Sequence, residues 1–291
     1  MLYTIENEKL ICTIESEGAE IRSLKDKENE KEYIWQIDKE IWGSSSPVLF
    51  PAIGNIKEDK IVFNGIEYAM PKHGIIRNNK DLSYKKESVN KCVFTLKSSD
   101  ETLKKYPFEF LFSVVFELIE KRLIMTYEIE NKDVFDMLFT CGGHTAYACN
   151  LNKGTKLSSY VVEFPPGFIP KARAVGDSGL LLASSRQIEN NSGIITLTDT
   201  LFNEDALIFE NIACDWIRLR KKNKTKGIVV HFKGFPNLAL WSKPSADYLC
   251  IEPWLGLPDS ESESIDLTQK PTYKSIEPGA QFSIKIETEI E

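Results

Sequence analysis

The sequence predicts an all-β protein: a large, mostly antiparallel sandwich of two sheets with about twenty short strands. Apolar and polar residues alternate with period two over Phe110–Glu117 and Arg122–Glu130, as in strands with one buried face. Turn-forming residues separate the apolar runs, and no amphipathic helix longer than a turn or two is evident. Because large β-sandwiches often form one unit, the 291 residues predict a single domain spanning 1–291.

The first half of the chain contains closely spaced strand signals. Leu2–Glu15 alternates like a strand pair that turns near Asn7, and Ala19–Leu24 predicts a third strand. Val62–Tyr68 places an Asn-Gly pair between apolar flanks, which is a strong hairpin signal. From Leu82 to Met125, strand follows strand, with polar interruptions.

The second half is less regular. Asn150–Gly193 gives little signal beyond turn chemistry, and Phe202–Asp205 is a candidate short helix. Further strands are predicted at Met137–Cys141, Ala206–Phe209, Trp216–Leu219, Gly227–Phe232, Tyr273–Ile276 and Phe282–Ile286.

One strand pair near the C-terminus carries the most informative carboxylate. Asn237–Ser242 and Tyr248–Ile251 predict two strands joined by a turn at 243–247. Glu252 follows the second strand, and Pro253 is expected to stop further ladder pairing. A carboxylate in such a place is costly unless it is hydrogen-bonded or lies at a cavity. Glu252 is therefore a candidate proton-handling group; the alternative is a strand-end side chain that reaches solvent.

Composition excludes several classes of protein. The net charge of −7 argues against nucleic-acid binding, which requires a basic face. No apolar run approaches the roughly 20 residues of a membrane span, and the N-terminus lacks the features of a signal peptide. We therefore expect a cytoplasmic monomer or homodimer. The six cysteines include no C-x-x-C pair, so buried thiols are favoured over disulfides or zinc ligands.

The three histidines differ in context. His144 follows two glycines, which permit a sharp turn or a close approach, so it is a candidate acid or base. The alternative is a histidine bonded at the edge of the core. His73, with Arg77 four residues on, lies either in a surface turn or against a polar ligand. His231 fits an ordinary strand. Their spacing matches no metal motif, and no nucleotide-binding or nucleophile-elbow motif is present.

Four segments in register resemble the aldose 1-epimerase (galactose mutarotase-like) family, and in particular its LacX-type branch. Lys72–Arg77 is similar to the family's His-Gly-Phe-Ala-Arg segment, and Tyr106–Phe110 to the opening of its long central strand. Gly142–Tyr147 resembles Gly-Gly-His-Pro-Ala-Phe, and Cys250–Gly256 resembles Cys-Ile-Glu-Pro-Trp-Tyr-Gly. The resemblance covers nearly the whole chain. Its departures, Ile75-Ile76, Thr145 and Tyr147, touch no proton-transfer group but leave the shape of the pocket, and so the sugar, open.

The resemblance implies a galactose-mutarotase-like β-supersandwich that needs no cofactor and has a sugar cleft on one sheet. Residue by residue, it implies that Glu252 is the general base and His144 the general acid. It also implies that His73 and Arg77 hold sugar oxygens. Such a pair, on opposite sides of a sugar, can open the ring and close it as the other anomer. For this, we expect His144 to be protonated and Glu252 to be ionised.

Three further side chains are candidates for contact with the sugar. Trp241 and Trp254 could pack against its C–H face, although both are equally well explained as core aromatics. Lys243, together with Lys72 and Arg77, could bind the phosphate of a sugar phosphate; exposed loop lysines are the alternative.

Three functions remain open at this point. The first is an aldose 1-epimerase acting on an aldose or an aldose phosphate. The second is a non-catalytic carbohydrate-binding or regulatory protein with the same cleft. The third is a glycosidase, which needs a second carboxylate beside Glu252; Asp247 and Asp259 are the nearby candidates.

Overall fold

The computed structural model describes residues 1–149, 157–244 and 246–291, so position 245 of the predicted 243–247 turn lies outside the described residues. Within these ranges the strands are β1 Leu2–Glu6, β2 Leu10–Glu15, β3 Glu20–Asp26, β4 Val48–Leu49, β5 Lys60–Phe63, β6 Ile66–Ala69, β7 Ser83–Lys86, β8 Lys91–Lys97, β9 Phe110–Ile119, β10 Arg122–Asn131, β11 Met137–Phe139, β12 Gly142–Gly143, β13 Thr145–Ala148, β14 Tyr160–Glu163, β15 Lys171–Val175, β16 Leu181–Gln187, β17 Ile194–Thr196, β18 Leu207–Phe209, β19 Trp216–Lys221, β20 Ile228–His231, β21 Asn237–Trp241, β22 Tyr248–Trp254, β23 Lys274–Ile276 and β24 Gln281–Ile290.

Helical structure in the same ranges is short. The single-turn helix α1, Asp100–Leu103, begins after Ser99, whose hydroxyl accepts a hydrogen bond from the Thr102 amide in a capping box. The 3-10 helices are Glu17–Ala19, Lys57–Asp59, Leu157–Ser159 and Leu267–Gln269. Among the described residues, no helix is long and apolar enough to cross a membrane.

Two large antiparallel sheets form the body of the protein. One has nine strands in the order β17-β14-β19-β20-β24-β10-β9-β8-β7. The other has eight, in the order β16-β15-β18-β21-β22-β12-β4, with β13 also beside β22. Smaller sheets are formed by β1-β2-β3, β5-β6 and β11-β23. The predicted all-β, mostly antiparallel, two-sheet class is confirmed.

The main core lies between the two large sheets. Phe112 and Tyr127 of the nine-stranded sheet share one buried cluster with Leu249 and Ile251 of β22. Burying each such side chain contributes about 1.5–3 kcal/mol. The intervening residues of β22 point the other way: Tyr248 and Cys250 belong to a separate aromatic cluster. The eight-stranded sheet therefore has one face in the core and the other available for a site.

Pro253 does not end strand pairing, so that expectation was wrong. β22 continues to Trp254, with Leu238 of β21 opposite Pro253. A proline lacks only the backbone amide donor. The strand pairing of β22 is continuous on the β21 side and is interrupted only on the side of β12 and β13. There the pairing lapses between Thr145 of β13 and Gly142 of β12.

One other local prediction was wrong, and three strands were missed, for identifiable reasons. Phe202–Asp205 forms turns rather than a helix, and Asp205 has φ +72°, which a right-handed helix cannot accommodate. β14, β15 and β16 were not predicted. The outer strand β16 is mostly exposed, so it lacks the apolar alternation on which the prediction depended.

The cysteines largely match the prediction of buried thiols. All six are free thiols; five are buried and Cys214 is half-buried.

Candidate active site

The pairing of β22 with its neighbours brings His144 and Glu252 together. Gly142 lies opposite Trp254, and Thr145 lies opposite Ile251, so the same register places His144 opposite Glu252. Residues directly opposite in an antiparallel pair project from the same face. His144 Nε2 lies 3.3 Å from Glu252 Oε2, and both side chains are largely buried.

The two glycines before His144 allow close approach rather than a sharp turn. A Cβ on Gly142 would lie 2.6 Å from the Pro253 carbonyl oxygen, and one on Gly143 would lie 2.8 Å from Ile286 Cδ1 in the other sheet. A larger residue at Gly142 would push β12 away from the β22 backbone, whereas one at Gly143 would require the Ile286 side chain to move.

The N-terminal part of the chain holds the backbone of His144. Its amide donates to the Pro47 carbonyl (3.1 Å), and the hydroxyls of Ser46 and Thr145 are 2.7 Å apart. The buried carboxylate of Glu20 accepts hydrogen bonds from the Ser45 and Ser46 amides. A carboxylate in β3 therefore fixes the loop that supports His144.

His73 is buried, so the surface-turn alternative was wrong. Its Nδ1 accepts a hydrogen bond from the Gly54 amide (3.1 Å), which assigns the ring proton to Nε2. Burial and the neighbouring His144 hold the pKa of His73 well below 6.5, so the ring is neutral. The two imidazoles make an edge contact with centroids 5.4 Å apart.

The turn after His73 requires glycine. Gly74 has φ +80°, and a Cβ there would lie 2.2 Å from the Phe50 carbonyl oxygen. Farther along, Arg77 makes a long contact to Ser44 Oγ (3.5 Å), and its buried Nε has no hydrogen-bond partner in the described part of the chain.

An open cleft of about 660 Å³ contains every residue proposed for acid–base catalysis or sugar contact. Its lining includes Glu252, His144, His73, Arg77, Lys72, Trp241, Trp254 and Lys243. Trp241 presents its ring edge to His144 at 5.7 Å. Trp254 is 3% exposed and belongs to a buried apolar cluster, so most of its surface is packing. Lys243 is exposed.

The cleft also includes residues that sequence reasoning missed. Trp42 lines it near His144, and Asp177, Glu204 and Asp205 contribute carboxylates. These acids come from turns around β15, β16 and β18, and no local pattern indicates where such turns meet β22.

Burial perturbs both members of the central pair. It raises the pKa of Glu252 well above 4.5, while the positive charges of Lys72 and Arg77 act in the opposite direction. Burial, followed by the Arg77 charge, lowers the pKa of His144 to about 3. Both shifts favour neutral side chains, with a proton on the carboxyl group of Glu252 rather than on the imidazole. The expected ionised Glu252 and protonated His144 are therefore not the favoured forms in the ligand-free cleft.

One set of side chains has the donor types of a metal site. Ligand atoms of His144, Cys250 and Glu252 lie within 4.8 Å of one another, although Cys250 does not line the cleft. The sequence spacing did not indicate this group because its members come from different strands.

The two candidates for a second catalytic carboxylate beside Glu252, Asp247 and Asp259, do not line the cleft. Asp259 is fully buried and pairs with Lys270 at 2.5 Å, and Asp247 is not a lining residue. His231 is also outside the cleft; it lies on β20, with Nε2 3.0 Å from Glu289.

The two-sheet fold, with a histidine–glutamate pair in a cleft, defines a galactose mutarotase-like β-sandwich protein. A galactose mutarotase related enzyme from Lactobacillus acidophilus is 31% identical with a TM-score of 0.94, over 100% of this chain and 97% of that one. A galactose mutarotase-like protein from Lactobacillus casei ATCC 334 is 28% identical with a TM-score of 0.93, over 100% of both chains.

The chain belongs to the aldose 1-epimerase family, whose sequence model matches residues 1–274. It is also 30% identical to the plasmid-encoded protein LacX of Lactococcus lactis subsp. lactis, over 96% of this chain and 95% of the relative. The resemblance drawn from the four sequence motifs is confirmed.

Proposed function

We propose that the protein is an aldose 1-epimerase that interconverts the α and β anomers of an aldose by general acid–base catalysis. The observation that carries the proposal is the 3.3 Å contact between His144 and Glu252 in an open cleft. Membership in the aldose 1-epimerase family supports the same class of reaction.

The reaction needs one proton removed and one delivered. Glu252 takes the proton of the C1 hydroxyl while His144 gives a proton to the ring oxygen, and the bond between C1 and that oxygen breaks. The aldehyde rotates about C1–C2, and the ring closes on the other face with the roles reversed. The pair therefore ends with the same single proton with which it began.

A contact pair suits this chemistry better than groups placed on opposite sides of a sugar. The C1 hydroxyl oxygen and the ring oxygen are bonded to the same carbon, so they lie within about a hydrogen-bond length of each other. Glu252 and His144 can reach both oxygens from one side. His73, neutral with its proton on Nε2, offers a hydrogen-bond donor to a sugar oxygen.

Substrate binding must bring the pair into its working protonation state. The charges of Arg77 and Lys72 lower the pKa of Glu252 and so oppose the effect of its burial. A sugar hydroxyl that donates to the carboxylate would favour the ionised form further. The proton would then lie on His144, where the ring oxygen can receive it.

Polarimetry with freshly dissolved α-glucose and α-galactose tests the proposal. We expect Glu252→Gln and His144→Asn each to lower the rate of mutarotation about 10²–10⁴-fold. His231→Asn, which changes a histidine outside the cleft, is the matched control and should retain the rate. If both cleft variants kept the wild-type rate, the roles assigned here would be wrong.

The same assay separates free from phosphorylated sugars. Lys72, Arg77 and Lys243 could hold a phosphate, whereas Asp177 and Asp205 would oppose one nearby. If glucose 6-phosphate is a substrate, Lys243→Met should raise its KM and leave that of glucose unchanged. A KM that does not respond would mean that Lys243 does not contact the phosphate.

The other two functions give different outcomes. A carbohydrate-binding protein would show saturable stabilisation by the sugar without accelerating mutarotation. A glycosidase would release a new reducing end from a glycoside. Either result, in the absence of mutarotation, would replace the epimerase proposal.

A further inference from the structure

Trp42 makes the closest aromatic contact to the proposed acid. Its ring stacks on the imidazole of His144, with centroids 5.1 Å apart and planes inclined by 28°. It also meets Trp241 edge-on at 5.4 Å and stacks on Tyr248 at 5.5 Å. Trp42 is thus held between two fixed aromatic rings while its own ring covers the imidazole.

The backbone around Trp42 is a compact turn. The amides of Ile41 and Trp42 both donate to the Asp38 carbonyl oxygen, at 3.0 and 2.8 Å. The Asp38 carboxylate accepts from the Glu40 amide at 2.9 Å. These bonds fix where the indole leaves the chain, so its position over His144 does not depend on side-chain packing alone.

His144 lacks the hydrogen bond that commonly orients a catalytic imidazole. In many enzymes the second ring nitrogen donates to a carboxylate or a carbonyl, which fixes the plane of the ring. Here Nδ1 is buried, and no other residue in the described ranges forms a hydrogen bond with it. The plane of the ring must therefore be held by the rings packed against it.

We propose that Trp42 is a positioning residue that holds the imidazole of His144 in the plane from which its Nε2 reaches Glu252 and the sugar. The proposal rests on the proposed function for its catalytic consequence, but the positioning itself does not require that function. It names a role in the cleft for a tryptophan outside the four motifs that indicated the family.

The other neighbours of His144 are compatible with this role. Glu252 lies at Nε2, and His73 and Trp241 present edges at 5.4 and 5.7 Å. The positive charges of Arg77 and Lys72 also act on the ring. Of the rings that contact His144, only Trp42 stacks on its face in the described structure, so its removal leaves that face without support.

Substitutions that separate ring shape from apolar volume test the proposal. Trp42→Leu keeps an apolar side chain but loses the flat face, whereas Trp42→Phe keeps a flat face. We expect Trp42→Leu to lower kcat about 10- to 100-fold with little change in KM, because small misplacements of a catalytic group have effects of this size. Trp42→Phe should restore most of the loss.

A double-mutant cycle shows whether Trp42 acts through His144. In a His144→Asn background, Trp42→Leu should cause no further loss of kcat, because the group that it positions is gone. An equal loss in both backgrounds, or a loss confined to KM, would mean that Trp42 contacts the sugar instead and would overturn the proposal.

Nitrogen-15 NMR of the imidazole in the sugar-free protein gives a readout that needs no enzymatic activity. The ring nitrogens of His144 should shift in Trp42→Leu and return towards wild type in Trp42→Phe. Trp35→Leu is the matched control, since Trp35 packs on Tyr248 in the same cluster but is not in ring contact with His144. Unchanged shifts in Trp42→Leu would refute positioning, even if the protein proved not to be an epimerase.

Discussion

Replacing Glu252 by glutamine should make the protein more stable while it lowers the proposed activity. The carboxyl group is 2% exposed, and burial raises its pKa well above 4.5. A glutamine of the same shape can occupy the site and hydrogen-bond to His144 without ever carrying a charge. The substitution therefore removes the cost of keeping an ionisable group in a buried position.

The size of the gain depends on pH in a defined direction. Below the ordinary value of 4.5, the carboxyl is protonated in both the folded and the unfolded chain, so the two proteins should be equally stable. As the pH rises above 4.5, the unfolded chain ionises first, and the wild type loses stability until the folded pKa is passed. Each unit by which the pKa is raised corresponds to about 1.4 kcal/mol, or roughly 3 °C in Tm for a chain of this size.

Thermal denaturation of both proteins from pH 4 to pH 9 measures this difference. We expect the Tm of Glu252→Gln to separate upward from that of the wild type as the pH increases. Glu8→Gln, which removes one exposed carboxylate, should follow the wild type at every pH. A Glu252→Gln variant that melts at or below the wild-type temperature at pH 8 would refute the assignment of a raised pKa to Glu252.

Two further substitutions have clear expected outcomes. The charge of Lys72 lowers the pKa of both Glu252 and His144. Lys72→Met should therefore move the acid and alkaline limbs of the pH–rate profile to higher pH. Limbs that stay in place would contradict this coupling. Lys270→Met should lower the free energy of unfolding in urea by about 3–5 kcal/mol, because it leaves the fully buried Asp259 without its ion-pair partner. A loss below about 1 kcal/mol would contradict that account.

The strands of this fold were predictable where one face of the strand is buried and the other is exposed to solvent. Arg122–Glu130 was recognised because its alternation persists through almost all of β10, which pairs along its length with β9 and β24. The outer strand β16 was missed because few of its side chains are buried. Local alternation therefore reports burial, and it fails where a strand is held mainly by backbone hydrogen bonds.

The site was predictable only through its motifs. Glu252 and His144 were identified from the segments that contain them, but their contact depends on a strand register that pairs residues far apart in sequence. Trp42 lies outside the four motifs, and no local pattern indicates it, because its role follows from the rings that it contacts. The direction in which burial shifts the pKa of each member of the pair could not be predicted, since burial acts on side chains only once the fold is complete.

The loop that supports His144 comes from the first fifty residues, and Glu252 lies near the other end of the chain. A ribosome must therefore release almost the whole polypeptide before the cleft can assemble. The loop around Pro47 can pair with β12 and bond to His144 earlier, but a fragment that ends before β22 would lack the base however well it folded. Such long-range closure is typical of β proteins that fold slowly, so the appearance of activity during synthesis would mark the last step of folding.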